Sequence, residues 1–407
     1  DPRQMVDCLR RREVSPAEAV EASLARIEAT DGVVNALPTL CPARARQAAA
    51  EMSSDSDNSH SAASLGGLPI AVKDLDDVAG VRTTYGSPIF ADHVPERSGV
   101  MVEKLEERGA IVIGKSNTPE FGAGSNTFNE VFGKTRNPWN TAKTCGGSSG
   151  GSAVALATGQ VWLATGSDLG GSLRTPAAFC SVVGLRPSPG LVAHAPSRLP
   201  FDTLAVNGPM GRTVGDVALM LDAMVGNDVR DPLAMPGSGQ PFVAAVDAPT
   251  APKRIAFSRD LGVTPMTGAI ADVCAAAAAR FADLGATVEE TAPDLHDARE
   301  VFRVLRSARA AAALEPLYRD HRDLLKPEII GEIEEGLTLS GAEIGRAERA
   351  RGELYVRVAD FFTEFDLLLC PMTAVPAFDV DVRYLDEIDG QKLDTYFDWF
   401  AIAYAIS

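Results

Sequence analysis

Short apolar runs, bounded by glycine and polar residues, alternate along this chain with segments of helical periodicity. Residues 68–72 and 110–113 predict buried strands, and residues 98–108 between them predict a helix. Residues 161–165 predict a further strand, and residues 213–225 have the apolar spacing of an amphipathic helix. The first three segments therefore form a βαβ unit, and the third strand leads directly into a glycine-rich turn.

The C-terminal part repeats this alternation. A strand at 254–258, a helix at 269–284 and a strand at 286–290 predict a second strand–helix–strand unit. The charged segment 295–362 has helical periodicity, and residues 365–370 return to a strand before a turn-rich segment.

Two features of the N-terminal region predict local structure. Ser15 and Glu18 enclose Pro16 in a capping box, which predicts a helix that runs to about Thr30. Residues 53–64 are a low-complexity polar stretch and predict a loop.

Composition describes a chain with enough apolar residues for a large core. It has 407 residues, of which 45% are hydrophobic, and a formal net charge of −17. The acidic balance argues against a nucleic-acid-binding protein, which needs a basic face. No run approaches 18 consecutive apolar residues, so we expect no membrane span.

The six cysteines are dispersed along the chain without a C-x-x-C pair or metal-ligand spacing. This distribution is typical of buried thiols rather than a disulfide framework. We therefore expect a cytoplasmic protein that holds no metal and no cofactor. Because the chain begins at Asp1 rather than methionine, the sequence leaves open whether a targeting segment precedes it.

Two serines, Ser148 and Ser172, each follow a Gly-Gly pair and lie 24 positions apart. Glycine pairs allow positive φ and a close approach of substrate, so such a serine can present its hydroxyl beside free N–H groups. Two such motifs, separated by an apolar segment, do not resemble a flexible linker. They indicate a nucleophile and an oxyanion hole that need a base.

No histidine lies beside either serine motif, although a triad can draw its histidine from elsewhere in the chain. A lysine is the other candidate: Lys73 ends an apolar strand, where desolvation favours the neutral amine. Taken alone, a strand-end lysine paired with Asp74 or Asp76 is the simpler interpretation.

Several motifs together identify the chain as resembling the amidase signature family. The resemblance extends from the helix near Ser15 to the strand near Pro371. The matching segments are LPIAVKDLDDVAGVRTTYGSP, GAIVIGKSNTPEFGAGSNT, FGKTRNPWN, GGSSGGS, GSDLGGSLRTPAAFCSVVGLRPSPG and GPMGRTVGDVALMLDAM, in the family's order.

This resemblance implies a Ser–cis-Ser–Lys triad, in which Ser172 is the nucleophile, Ser148 the bridging serine and Lys73 the base. It also implies a cis peptide bond before Ser148 or its neighbour. The backbone N–H groups of the turn would form the oxyanion hole; they belong to Leu169, Gly170, Gly171 and Ser172.

The residues around the triad take supporting roles under the same resemblance. Asp168 and Arg174 would pair and hold the nucleophile turn, and Ser149 would order the loop beside Ser148. Arg174 could alternatively bind an acidic substrate, since its guanidinium matches a carboxylate. Asn117, Arg136 and Asn137 belong to motifs that look architectural.

The resemblance implies an α/β fold: a single large α/β/α domain over residues 1–407, with a central mixed, mostly parallel sheet flanked by helices. Its core motifs would occupy about residues 65–225, and its variable helical layer about 295–362. Relatives continue beyond the point where this chain stops, so the C-terminal part of the domain would be missing after Ser407.

The implied function is hydrolysis of a small-molecule amide to a carboxylic acid and ammonia or an amine. One alternative is a glutamine-hydrolysing amidotransferase A-type subunit that needs a partner chain, and a homodimer is also open. Two others are an α/β-hydrolase-type esterase that uses Ser149 in a G-x-S-x-G motif, and a scaffold that has lost activity.

Overall fold

The computed structural model describes residues 1–54, 63–237 and 239–407, which form two compact units. The N-terminal unit comprises Asp1–Ala248 with Asp379–Asp381, and the C-terminal unit comprises Pro249–Phe378 with Val382–Ser407. Most of the polar loop predicted at 53–64, including His60, lies outside the described residues.

The N-terminal unit holds the motifs singled out from the sequence. Its helices are α1 Pro2–Arg10, α2 Pro16–Val34, α3 Pro42–Ser54, α4 Val100–Glu107, α5 Gly150–Ala157, α6 Arg174–Cys180, α7 Val214–Met224 and α8 Phe242–Asp247, with 3-10 turns at Pro88–Phe90 and Glu120–Gly122. Its strands are β1 Thr39–Leu40, β2 Leu68–Lys73, β3 Ala110–Ser116, β4 Phe128–Asn129, β5 Gly133–Lys134, β6 Leu163–Asp168, β7 Val183–Gly184 and β8 Val206–Gly211.

A mixed six-stranded sheet lies at the centre of this unit, in the order β1-β3-β2-β6-β8-β7. Strand β2 runs parallel to both of its neighbours, β3 and β6, whereas β8 is antiparallel to β6. The α/β class and the mixed sheet flanked by helices are therefore confirmed.

Alternate residues of β2 and β3 pack into two different apolar clusters. Leu68, Ile70 and Val72 join a cluster with α1, α4 and α7, whereas Ala71 joins a cluster with α2, α3 and α5. Because successive side chains of a strand point to opposite faces, helices cover both faces of the sheet. Lys73 lies two residues after Ala71, so its side chain points to the same face of the sheet, toward α5.

Most predicted elements of this unit form near the expected positions. The capping box of Ser15 and Glu18 starts α2, but α2 continues past Thr30 to Val34 and ends at Asn35 in the left-handed conformation, with φ 54°. The strand predicted at 161–165 begins two residues later and continues to Asp168 as β6, because β6 pairs with β8 from Ala164 to Asp168.

The C-terminal unit contains the second strand–helix–strand unit and the predicted helical segment. Its helices are α9 Gly268–Ala279, α10 Ala298–His321, α11 Pro327–Thr338, α12 Gly341–Phe361 and α13 Ala401–Tyr404, with 3-10 turns at Arg280–Leu284, Arg322–Leu324 and Asp398–Phe400. Its strands are β9 Arg254–Phe257, β10 Thr287–Glu290, β11 Leu367–Leu369, β12 Glu387–Ile388 and β13 Gln391–Lys392. Strand β9 lies between β10 and β11 and is parallel to both.

Among the helices of residues 1–54, 63–237 and 239–407, none is long and apolar enough to cross a membrane.

Candidate active site

Lys73 lies at the carboxyl end of β2 and is fully buried. Its amine contacts three serine hydroxyls: Nζ lies 2.7 Å from Ser148 Oγ, 2.9 Å from Ser149 Oγ and 2.9 Å from Ser167 Oγ. The backbone N–H of Lys73 donates to Thr165 Oγ1 on β6, which fixes the end of β2 beside the turn that contains Ser172. The structure thus gathers a lysine and three hydroxyl groups in one buried cluster.

The environment of Lys73 favours its neutral amine. Burial lowers its pKa to about 7, against the opposing influence of the Asp76 and Asp168 charges. Within the residues that the structure describes, Lys73 forms no ion pair. An amine with this pKa and a direct contact to Ser148 Oγ is able to accept a proton near neutral pH.

A second buried lysine, Lys115 on β3, differs from Lys73 in having a carboxylate beside its amine. Its Nζ lies 3.3 Å from Asp74 Oδ1 and donates to the carbonyl oxygen of Asp76 at 2.6 Å and to Thr83 Oγ1 at 2.7 Å. The carboxylate pairing that the sequence left open for Lys73 is therefore made by Lys115. Lys73 is the buried lysine that carries no carboxylate partner in this network.

The loop before α5 brings Ser148 to the lysine. Gly146 has φ +72°, in the region that favours glycine, and the peptide bond between Gly147 and Ser148 is cis. Thr127 Oγ1 donates to the carbonyl oxygen of Gly146, and the Gly146 N–H donates to Thr144 Oγ1. Hydrogen bonds on both sides thus fix the backbone that presents Ser148.

Ser172 lies in the turn between β6 and α6 and is partly exposed. Gly171 before it has φ +114°, which only glycine adopts without strain. The Ser149 N–H donates to the carbonyl oxygen of Ser172 at 3.1 Å, so the two serine loops lie against each other. In the described part of the chain, the Ser172 hydroxyl forms no hydrogen bond and remains available to a substrate.

Asp168 organises this turn. Its carboxylate accepts the N–H groups of Gly171 and Leu173 and a two-point contact from Arg174, with both nitrogen–oxygen distances 3.0 Å. Arg186 donates to the carbonyl oxygen of Asp168 and lies 3.4 Å from its carboxylate. Burial acts to raise the pKa of Asp168, but the two guanidinium groups and the Gly171 N–H hold it at about 2.

The hydrogen bond from Gly171 to Asp168 corrects one expectation about the oxyanion hole. The resemblance implies a free Gly171 N–H, but this group is occupied because the carboxylate lies 2.8 Å from its nitrogen. The N–H groups of Leu169, Gly170 and Ser172 have no hydrogen-bond acceptor among the residues described. Three donors of the predicted run therefore have no acceptor among the described residues.

Ser149 has the environment of a supporting residue. It is fully buried, and its Oγ receives both the Lys73 amine and the Ser167 N–H. A nucleophile that attacks a substrate needs access, which Ser172 has and Ser149 lacks. This geometry argues against the hydrolase alternative, and none of the described histidines hydrogen-bonds to these serines.

The architectural motifs hold the loops around the site. Asn117 donates to Thr135 Oγ1 and accepts from Asn129, and Asn137 donates to the carbonyl oxygens of Thr144 and Phe179. Arg136 donates to the carbonyl oxygen of Thr141.

Three residues with contacts near the site were not singled out from the sequence: Lys115, Asn207 and Arg186. Arg186 belongs to the motif that contains Ser172, and this was the only signal for it. The contacts of Lys115 and Asn207 depend on strand pairing that the sequence does not reveal, and Asp76, named from the sequence as a possible partner of Lys73, accepts a hydrogen bond from Asn207.

Comparison with known proteins agrees with this site. The sequence profile of the amidase family matches residues 18–406. An acylamidase of Rhodococcus erythropolis is 33% identical over 95% of this chain and 82% of its own length. The A subunit of the glutamyl-tRNA(Gln) amidotransferase of Geobacter sulfurreducens is 33% identical over 97% of this chain and 86% of its own length.

Solved structures show the same relationship. A bacterial aryl acylamidase of the amidase signature family superposes with a TM-score of 0.91 at 28% identity, over the whole of this chain and 86% of that structure. The profile match spans nearly the entire chain, and two relatives above 30% identity are covered over most of their own length. The chain therefore belongs to the amidase signature family and is an amidase.

Proposed function

We propose that this amidase cleaves its substrate through an acyl-enzyme on Ser172, with Ser148 and Lys73 as the proton relay. The observation that carries the proposal is the buried Lys73 amine, which contacts Ser148 Oγ at 2.7 Å and has no carboxylate partner in the described residues. A lysine in this environment is a base rather than a structural cation.

In the first half-reaction, Ser172 Oγ attacks the amide carbonyl carbon. Its proton passes to Ser148 Oγ as the Ser148 proton passes to Lys73 Nζ, which becomes an ammonium group. The relay then runs in reverse and protonates the leaving nitrogen, so the C–N bond breaks and the acyl group stays on Ser172. The Ser148–Ser172 contact is expected to form with substrate bound, since catalytic hydrogen bonds often tighten in that complex.

In the second half-reaction, water takes the place of the Ser172 hydroxyl. Its attack on the acyl-enzyme releases the carboxylic acid and restores the serine. The N–H groups of Leu169, Gly170 and Ser172 would stabilise the oxyanion in both tetrahedral intermediates. Loss of one such donor typically costs on the order of 3–4 kcal/mol of transition-state stabilisation.

The remaining groups would keep this geometry in place. Arg174 and Arg186 both pair with Asp168 behind the turn, so we assign Arg174 to support of the turn rather than to a substrate carboxylate. Ser149 and Ser167 complete the hydrogen-bond sphere of the Lys73 amine and so orient it toward Ser148.

A second candidate function is the glutamine-hydrolysing subunit of an amidotransferase. It is supported by the similarity to the A subunit of glutamyl-tRNA(Gln) amidotransferase, which equals in identity that to the acylamidase. The two candidates share the relay and differ in substrate and in the need for a partner chain.

The test is ammonia and acid release from a panel of neutral, aryl and acidic amides and glutamine, by wild type and Ser172→Ala. We expect the wild type to turn over at least one simple amide alone and Ser172→Ala to be inactive. Equal turnover by the two proteins would refute the acyl-enzyme. Activity confined to glutamine would favour the amidotransferase.

A further inference from the structure

Asp76 is a buried carboxyl group near the site that the relay does not use. It follows β2 by three residues, and its backbone N–H donates to the carbonyl oxygen of Lys73 at 3.0 Å. Asn207 Nδ2 donates to Asp76 Oδ1 at 2.9 Å. Asp76 Oδ2 is buried and accepts no hydrogen bond from any described residue. A buried carboxyl oxygen without a partner is costly, so its retention requires a reason.

Strand pairing connects this carboxyl group to the hydrogen-bond sphere of Lys73. Asn207 on β8 lies directly opposite Ser167 on β6. Residues opposite each other in an antiparallel pair project their side chains on the same face, with Cβ atoms about 5 Å apart. Ser167 Oγ in turn accepts the Lys73 amine. Asp76 therefore lies just outside the serines that contact the amine. Its carboxyl group contacts Asn207, which lies opposite Ser167, and its backbone N–H donates to the carbonyl oxygen of Lys73.

Of Asp74, Asp76 and Asp168, Asp76 is the one that forms no ion pair in the described residues, so it can balance a new positive charge near the amine. Each turnover converts Lys73 into an ammonium group whose direct contacts are serine hydroxyls. Asp168 is already compensated by two guanidinium groups, and Asp74 by Lys115. Asp76 has no side-chain ion pair in the described part of the chain, whereas Asp74, which also has one oxygen without a hydrogen bond there, lies 3.3 Å from the Lys115 amine.

We propose that Asp76 is a positioning residue that supplies the counter-charge for the ammonium group formed on Lys73 during catalysis. The inference rests on the proposed relay and adds to it a residue that sets the basicity of the lysine. The carboxylate stabilises the protonated lysine from just outside the serines, while the serines hold the amine in place for proton transfer.

The titratable groups that face Asp76 come from three parts of the unit. They are Lys73 on β2, Lys115 on β3 and His194 in the segment before β8. Burial raises the pKa of Asp76 above its ordinary value, although these groups and the Asn207 amide act to lower it. In the reverse direction, Asp76 is the foremost charge that raises the pKa of Lys73, followed by Asp168.

The test is the pH profile of kcat/KM and of kcat for Asp76→Asn, which keeps the shape and removes the charge. On the acidic side of the profile, activity falls as Lys73 becomes protonated; this part is called the acidic limb. Loss of the counter-charge destabilises the ammonium group, so the acidic limb moves to lower pH by about 0.5–1 unit. The weaker base also lowers the plateau kcat by about 3- to 10-fold with KM little changed. Asp77→Asn is the matched control, because Asp77 accepts from Tyr85 OH and its loss leaves the limb in place.

Two further variants keep the proposal falsifiable if Asp76→Asn does not fold. Asn207→Leu removes the donor that stabilises the carboxylate, so it moves the limb in the same direction by a smaller amount. Asp76→Glu retains the charge and keeps the limb near its wild-type position. An acidic limb that stays in place in both Asp76→Asn and Asn207→Leu, or moves to higher pH, overturns the proposal. A wild type without a limb near pH 7 that depends on Lys73 would instead contradict the relay itself.

Discussion

Lys73 and Lys115 lie on adjacent parallel strands, Val72 being paired with Lys115, and both side chains are fully buried. Their different partners give them different chemistry. The Lys115 amine lies beside the Asp74 carboxylate, whereas the Lys73 amine faces hydroxyl groups. Burial lowers the pKa of both lysines, so the difference between them lies in their partners: a carboxylate for Lys115 and hydroxyl groups for Lys73.

Activity should follow the ionisation of Lys73. Its pKa of about 7 means that the neutral amine predominates above that pH, so kcat/KM should rise through about pH 7 and then level off. Lys73→Ala should lose most turnover together with this dependence. Lys73→Arg should be nearly as inactive, because a guanidinium does not accept the proton. Pre-steady-state and steady-state rates from about pH 5 to about pH 10 would check this, and near-normal turnover by Lys73→Arg would contradict it.

Stability should separate the two lysines. Lys115→Met leaves the Asp74 carboxylate buried without its cation, and breaking such a pair costs about 3–5 kcal/mol. Lys73→Met removes an amine that at about pH 8 is mostly neutral in the folded chain but charged in the unfolded chain, so the variant should lose little stability or gain some. Denaturant unfolding at about pH 8, where the Lys73 amine is neutral, measures both. A Lys73→Met variant as unstable as Lys115→Met would mean that Lys73 is also a structural cation.

The pH dependence of unfolding gives the same lysine a second readout. The unfolded chain holds the Lys73 proton up to about pH 10.4, whereas the folded chain holds it only up to about pH 7. Between these values the unfolded state binds more protons, so folding becomes more favourable as pH rises, by at most about 1.4 kcal/mol per unit. The difference in unfolding free energy between wild type and Lys73→Met should show this slope from about pH 7 to about pH 10. A flat difference would contradict the depressed pKa.

At the scale of elements, the turn between β6 and α6 depends on one carboxylate with several partners. Asp168 accepts two backbone N–H groups and contacts Arg174 and Arg186. The family resemblance implied the Asp168–Arg174 pair, whose two residues flank Ser172. The sequence did not predict Arg186, which reaches the turn from beyond β7, or the use of the Gly171 N–H by Asp168. Such contacts depend on the return path of the chain, which short-range patterns do not specify.

Arg174→Lys tests whether this arginine supports the turn. Lysine cannot make the two-point contact, but Asp168 keeps Arg186 and its backbone donors, so we expect a stability loss of about 1–2 kcal/mol. Activity should fall by the same factor for neutral and acidic amides. Paired kcat/KM measurements on a neutral amide and its acidic analogue would decide. Loss confined to the acidic analogue would make Arg174 a substrate-binding residue.

At the scale of the whole chain, hydrophobic patterning and the motif order were sufficient to predict the α/β class, the helical segment after β10 and the family. The family motifs also named Lys73, Ser148 and Ser172 before their proximity was known. The role of Lys115 and the connection of Asp76 through Asn207 to Ser167 were not predicted, since they arise from register between strands distant in sequence.

If the chain acts as a free amidase, its activity should need no partner. The purified protein should release ammonia or an amine from a simple amide at a rate proportional to its concentration. Adding the other components of an amidotransferase should not raise that rate. Glutaminase activity that appears only with such a partner would contradict this expectation and support the second candidate function.

The most direct test of the account is to locate the covalent intermediate. A fluorophosphonate probe reacts with an activated serine, and peptide mass spectrometry identifies the modified residue. We expect modification of Ser172 alone in the wild type, none in Ser172→Ala, and a labelling rate in the wild type that rises with pH through about 7, as Lys73 loses its proton. Modification of Ser149 in place of Ser172, or labelling that persists unchanged in Ser172→Ala, would contradict the proposed nucleophile.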